Sequence, residues 1–202
     1  NRGGITFILN SDALNLTPNL TLNVAGMEAR RSDMIWAILN KNYRGLVTTS
    51  IAFPVKHISR PSTKTDMNGP KLVAEFIGSS FYSALTDFLN DKKNHNLIFS
   101  KHDLIKIESL IHQNLEKRLI RMDMNMYRID GIALSLLTRF PNLSGLDGLR
   151  LQLQSKLNLK EWKKVRMLIK QYRITDCLIF LSELHNIADD YAKFYRDRRY
   201  KI

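Results

Sequence analysis

The sequence predicts an α+β chain, mostly helical. A mixed domain for assembly or interaction is expected over residues 1–145, a strand-helix-helix unit over 149–192 and a basic tail over 193–202. Three observations predict this. Short Thr-, Ile- and Val-rich segments near the start have strand character, apolar residues recur at helical spacing through the middle, and Leu149 to Leu157 alternates apolar with polar residues.

Ile5 to Leu9 and Leu20 to Val24 read as short strands, separated by the turn-prone Asn10 to Asn19 with Pro18 inside it. Met27 to Leu39 carries Met34, Ile35, Ile38 and Leu39 at helical intervals, and Asn40 to Gly45 supplies a stop. Val47 to Val55 returns to strand character until Pro54 interrupts it. Ser59 to Pro70, with two prolines and an Asn68-Gly69-Pro70 turn, is expected to be a loop between lobes.

Lys71 to Leu89 is amphipathic, with Gly78-Ser79-Ser80 as an expected kink, and Asp91 to Asn96 is a polar connector. Ser100, with Asp103 three residues on, caps a helix whose apolar face runs from Leu104 to about Met122. Ile129 to Phe140 reads as another helix, ended by Pro141.

Beyond it, Leu149, Leu151, Leu153 and Leu157 take one face of a strand, while Arg150, Gln152, Gln154 and Lys156 take the other. That outward row is long, donor-bearing and free of acids, which suits base-pair edges. Asn158 then caps a helix to about Tyr172, with Trp162, Val165, Leu168, Ile169 and Tyr172 on its apolar stripe and Lys160, Lys163, Lys164, Arg166 and Lys170 opposite. Thr175 or Asp176 caps a second helix, which is apolar almost all round and so needs cover from the preceding domain or from another chain.

The chain of 202 residues is long enough to bury roughly 70% of its unfolded surface. With 44% hydrophobic and 25% charged residues it belongs with folded globular proteins. Net charge is +12, of which residues 149–202 supply +7 from 13 Lys/Arg and 6 Asp/Glu. That concentration points to a nucleic-acid partner, with an anionic membrane surface as a lesser alternative.

No apolar run approaches the ~20 residues of a membrane span, and no signal peptide is evident. Cys177 is the only cysteine, which excludes an internal disulfide framework and predicts a buried thiol in a cytoplasmic protein. His57, His95, His102, His112 and His185 are scattered, and Asp123, Asp189 and Asp190 lack a base or second carboxylate at catalytic spacing. With no phosphate-binding glycine loop or nucleophile elbow, the expectation is a non-enzyme without metal or cofactor.

Strand, basic helix, short turn and apolar helix over residues 149–192 resemble the ribbon-helix-helix DNA-binding proteins of the Arc and MetJ type. The resemblance implies a homodimer whose paired strands enter the major groove of double-stranded DNA. It implies that Arg150, Gln152, Gln154 and Lys156 read bases. Thr175 and Asp176, at the start of the second helix, would then anchor phosphate through backbone amides. Lys160, Lys163 and Lys164 would add phosphate contacts, with a merely solvated face as the equal alternative.

Arg173 stands where such proteins have glycine, so either its backbone is left-handed or the turn differs. A long front domain before such a unit looks loosely like regulators encoded on conjugative plasmids and integrative elements, where the front domain would meet other transcription proteins. The competing reading is a basic RNA-binding or nucleocapsid-type protein that acts by stacking rather than by duplex readout.

Overall fold

The helix that everything else touches is the most apolar one. In the computed structural model, which describes residues 21–29, 31–44, 69–91, 99–141, 148, 159–184, 186 and 190, it spans Gly69–Asp91. In chain order the elements are strands β1 (Asn23–Val24) and β2 (Met27–Glu28), then helices α1 (Ser32–Arg44), α2 (Gly69–Asp91), α3 (Lys101–Arg139), α4 (Leu159–Gln171) and α5 (175–184). The described chain is therefore mostly helical, with one small antiparallel sheet.

Val73, Ala74, Ile77, Phe81, Ala84, Leu85 and Phe88 of α2 are buried. α3 packs along this helix, with α1, α4 and the hairpin against its other sides. Phe81 meets Phe180 of α5 edge-on at 6.1 Å, and Phe76 meets Trp162 of α4 at 5.6 Å. One cluster of buried residues runs from Leu22 to Leu184, so α4 and α5 share a core with the elements before residue 145. One face of α5 is thus covered within the chain, with Cys177, Leu181 and Leu184 buried in that common core, while Ile179 stays 47% exposed.

The first described element differs from its sequence reading. Val24 pairs with Met27 across Ala25-Gly26, whose φ values of 53° and 72° are both positive, as a type I′ hairpin requires. Met27 and Glu28 are thereby a strand, and the helix predicted from Met27 begins at Ser32. Nor does Asn40 stop that helix. Its amide donates to the Trp36 carbonyl at 2.9 Å and that of Asn42 to Ile38 at 2.8 Å, both bonds back along the helix that carry it to Arg44.

Gly69-Pro70, read as a turn, opens α2, where a proline's missing N–H leaves no helical bond unmade. The helix runs without a break through Gly78-Ser79-Ser80. These small buried residues let neighbours approach: Arg31 Nε donates to Ser79 Oγ at 3.0 Å, and Arg118 donates to the Ser79 carbonyl at 3.1 Å and to Ser83 Oγ at 2.9 Å.

The Ser100 capping box forms as read, with Ser100 Oγ accepting from the Asp103 amide and Asp103 Oδ2 from the Ser100 amide. The two helices expected between Ser100 and Phe140 are one helix of 39 residues, about 58 Å long at 1.5 Å per residue. No proline or glycine interrupts residues 123–130, and the stripe Leu119, Met122, Met126, Ile129, Ala133, Leu136, Phe140 keeps its helical intervals throughout. Phe140 ends it just before Pro141, as read.

The strands read at Ile5 to Leu9 and Val47 to Val55, the remainder of the Ser59 to Pro70 loop, the boundary near residue 145 and the Leu149 to Leu157 strand lie outside the described residues.

Candidate nucleic-acid interface

α4 presents the basic face, and its rotation decides which side chains reach solvent. Trp162 and Arg166 stand one turn apart, so both reach the same point on α3. There, Asp123 Oδ1 accepts the indole N–H at 2.6 Å and Oδ2 accepts Arg166 Nε at 3.0 Å. Trp162 is buried against Phe76, and Ile169, two turns along, is fully buried. Held on that side, α4 turns Lys160, Lys163 and Lys164 outward, all three exposed.

The other two cations of the helix lie beside α3, Arg166 partly buried and Lys170 still exposed. Arg166 and Lys170 reach Glu116 of α3 at 3.7 and 3.4 Å, while Lys164 pairs with Glu161 on its own helix at 2.8 Å. Sequence reasoning placed Arg166 with the outward basic residues, and the structure makes it an anchor. It likewise set Asp123 aside as an isolated acid. Nothing local to Asp123 signals its role, but the Trp162/Arg166 pair at one-turn spacing marks two donors sharing a helix face. Leu168, assigned to the apolar stripe, is half-exposed and lies along Gly69, where a Cβ would come within 3.0 Å of Leu168 Cδ1.

The turn from α4 to α5 is tied to the hairpin. Tyr172 Oη accepts the Ala25 N–H at 2.8 Å and donates to Asp176 Oδ2. Ala25 holds a left-handed backbone that costs an ordinary residue roughly 1–2 kcal/mol, and the tyrosine bond helps to hold it there. Among the described residues the non-glycines at positive φ are Ala25 and Arg31, so Arg173 is not left-handed and the turn is of the second kind expected.

Thr175 is exposed at the first position of α5, and the Cys177 amide is taken by the Ile174 carbonyl at 3.0 Å. The Asp176 carboxylate is turned back to Tyr172. Arg150, Gln152, Gln154 and Lys156 lie outside the described residues, so the structure joins Lys160, Lys163, Lys164, Thr175 and Asp176 to one segment without adding the strand row.

Burial raises the Tyr172 hydroxyl from its ordinary 10.0 to about 12, assisted by the bond to Asp176. Burial raises the Cys177 thiol from 9.0 to about 12, assisted by the charge of Asp176. In both cases the fold favours the protonated form, so the unfolded chain loses these protons first and stability falls as pH rises. Urea midpoints should therefore hold near about pH 8 and fall between about pH 9 and about pH 12, less steeply in Tyr172→Phe. An unchanged slope in that variant would remove Tyr172 from the account.

Among the described residues no His/Cys/Asp/Glu group could hold a metal ion, and no helix is long and apolar enough to cross a membrane. The chain matches no protein-family model, no curated protein and no solved structure.

Proposed function

We propose that this chain is a sequence-specific double-stranded DNA-binding regulator that acts as a homodimer. On this reading, Lys160, Lys163 and Lys164 meet phosphate while the alternating row Arg150, Gln152, Gln154 and Lys156 reads bases. The observation that carries the proposal is the fixed outward basic face of α4, directly after that row in sequence. Two cations of α4 pair with acids of α3, and the three left outward lie on one side of a helix whose rotation is locked by Asp123. Such a cluster, held in one orientation with Lys164 also paired to Glu161 on its own helix, fits a backbone of regularly spaced charges. Its place in biology would be control of gene expression, transfer genes of a mobile element included.

The test begins with selection of bound sequences from a random duplex library. A palindromic or repeated motif is the expected result. Changing Lys160, Lys163 and Lys164 together to alanine should weaken binding to every sequence alike and flatten the salt dependence by about 0.9 per lost phosphate contact. Gln152→Ala should cost about 1–3 kcal/mol on the selected site and relax preference at one position. Recovery of no motif, with tighter binding to single-stranded RNA than to duplex at matched salt, would replace this reading with the RNA-binding one.

A further inference from the structure

α3 has two apolar stripes on opposite sides. The inward one, through Ile107, Ile111, Leu115, Leu119 and Met126, is buried in the common core. The outward one is Ile120, Met124, Tyr127, Gly131, Leu134 and Thr138, at intervals of 4, 3, 4, 3 and 4, which is the repeat of a coiled-coil seam. Ile120 is 50% exposed, Met124 52%, Tyr127 61% and Leu134 68%. Solvent therefore reaches a face whose period is that of a helix-helix contact.

Charge is sorted along its edges. Glu116, Asp123 and Asp130 flank the seam on one side, and the exposed Arg121 and Arg128 flank it on the other. If two copies of this helix ran antiparallel, the arginine edge would face itself. Running parallel, it faces the acidic edge, with Glu116 beside the partner's Arg121 and Asp123 beside the partner's Arg128 at the usual five-residue offset. Those two acids also meet Lys170 and Arg166 of α4, so a second copy's arginines would share them.

Area agrees with a second copy. With all four large side chains covered, a pair of chains would remove on the order of 1,000 Å², the least a specific interface needs, and the flanking arginines would add to it. Gly131 sits in the middle of the stripe with nothing within 4 Å of where its Cβ would be. Glycine there weakens a lone helix, yet it lets two backbones come close at a seam.

We propose that this outward stripe of α3 is a docking surface for the same stripe of a second copy, the two helices running parallel about a two-fold axis. The inference is independent of the DNA reading, whose dimer would form through residues 149–157.

Sedimentation equilibrium of the full chain without nucleic acid should give a dimer at micromolar concentration. Tyr127→Glu and Leu134→Glu should each weaken it at least tenfold while circular dichroism stays that of the parent. Gly131→Ala should raise the helical signal but loosen the dimer. Met124→Cys should form a disulfide with its own counterpart under mild oxidation, because a parallel seam sets identical positions side by side. A monomeric parent, a dimer indifferent to both glutamates, or cross-linking only between Met124→Cys and Leu134→Cys chains would overturn the proposal. Dimeric binding of a duplex by a Leu134→Glu chain that is monomeric without DNA would support both readings, since that second dimer would form through residues 149–157.

Discussion

Phe81→Ala should lower the unfolding free energy by about 3–5 kcal/mol, read as a fall in urea midpoint with little change in slope. Phe81 is fully buried at the centre of α2, and its ring meets Phe180 at an interplanar angle of 89°, the edge-to-face geometry that aromatic pairs favour. Removing it opens a cavity where the second helix of the basic segment meets the middle of the chain. In a double-mutant cycle with Phe180→Leu, about 0.5–1.5 kcal/mol should be shared between the two rings. Additive losses would mean that α5 does not rest on α2 at this point. Substituting an exposed residue such as Lys160 should change stability by no more than about 0.5 kcal/mol, so the contrast also tests the burial pattern.

The lines of the fold that could be read from the chain are those with a single strong local cause. The Ser100/Asp103 cap is one, since both halves of its reciprocal bonding lie within four residues, and the apolar faces of α2 and α4 are others. Sequence reasoning failed where two local rules compete. Ala25-Gly26 lacks the usual Asn-Gly signature of its turn, because Tyr172, 147 positions later, supplies the bond that holds Ala25 in place. Asn40 and Asn42 were read as a stop because asparagine favours turns, and they instead bond back to the helix. α3 was divided at a polar patch that holds Asp123, whose neighbours in space come from α4. Of the candidate interface, the type of residue on the outer side of α4 was legible. Its exact rotation was not, because Arg166 and Lys170 look like Lys163 and Lys164 until the acids of α3 are placed beside them.

That dependence makes Asp123→Ala the variant with the widest consequences. One carboxylate accepts from both Trp162 Nε1 and Arg166 Nε, so its loss leaves a buried indole N–H and a partly buried guanidinium short of an acceptor. Each unmade bond of this kind costs about 1–3 kcal/mol, and Glu116, at 3.7 Å from Arg166, recovers part of the second. A net loss of about 2–4 kcal/mol is expected in urea unfolding. Asp123→Asn should fall between, since its carbonyl oxygen can still accept from the indole but offers no charge to Arg166. Trp162→Phe, which keeps the ring against Phe76 and removes only the donor, should cost about 1–2 kcal/mol. Under the proposed function the order of stability should also be the order of duplex affinity, because α4 released from α3 no longer presents Lys160, Lys163 and Lys164 in one orientation. If Asp123→Ala unfolded like the parent, the bond from Trp162 would not be what sets that orientation. If it unfolded early yet bound duplex with parental affinity once folded, the lysines would act as loose charges, and the rigid face would not be the source of recognition.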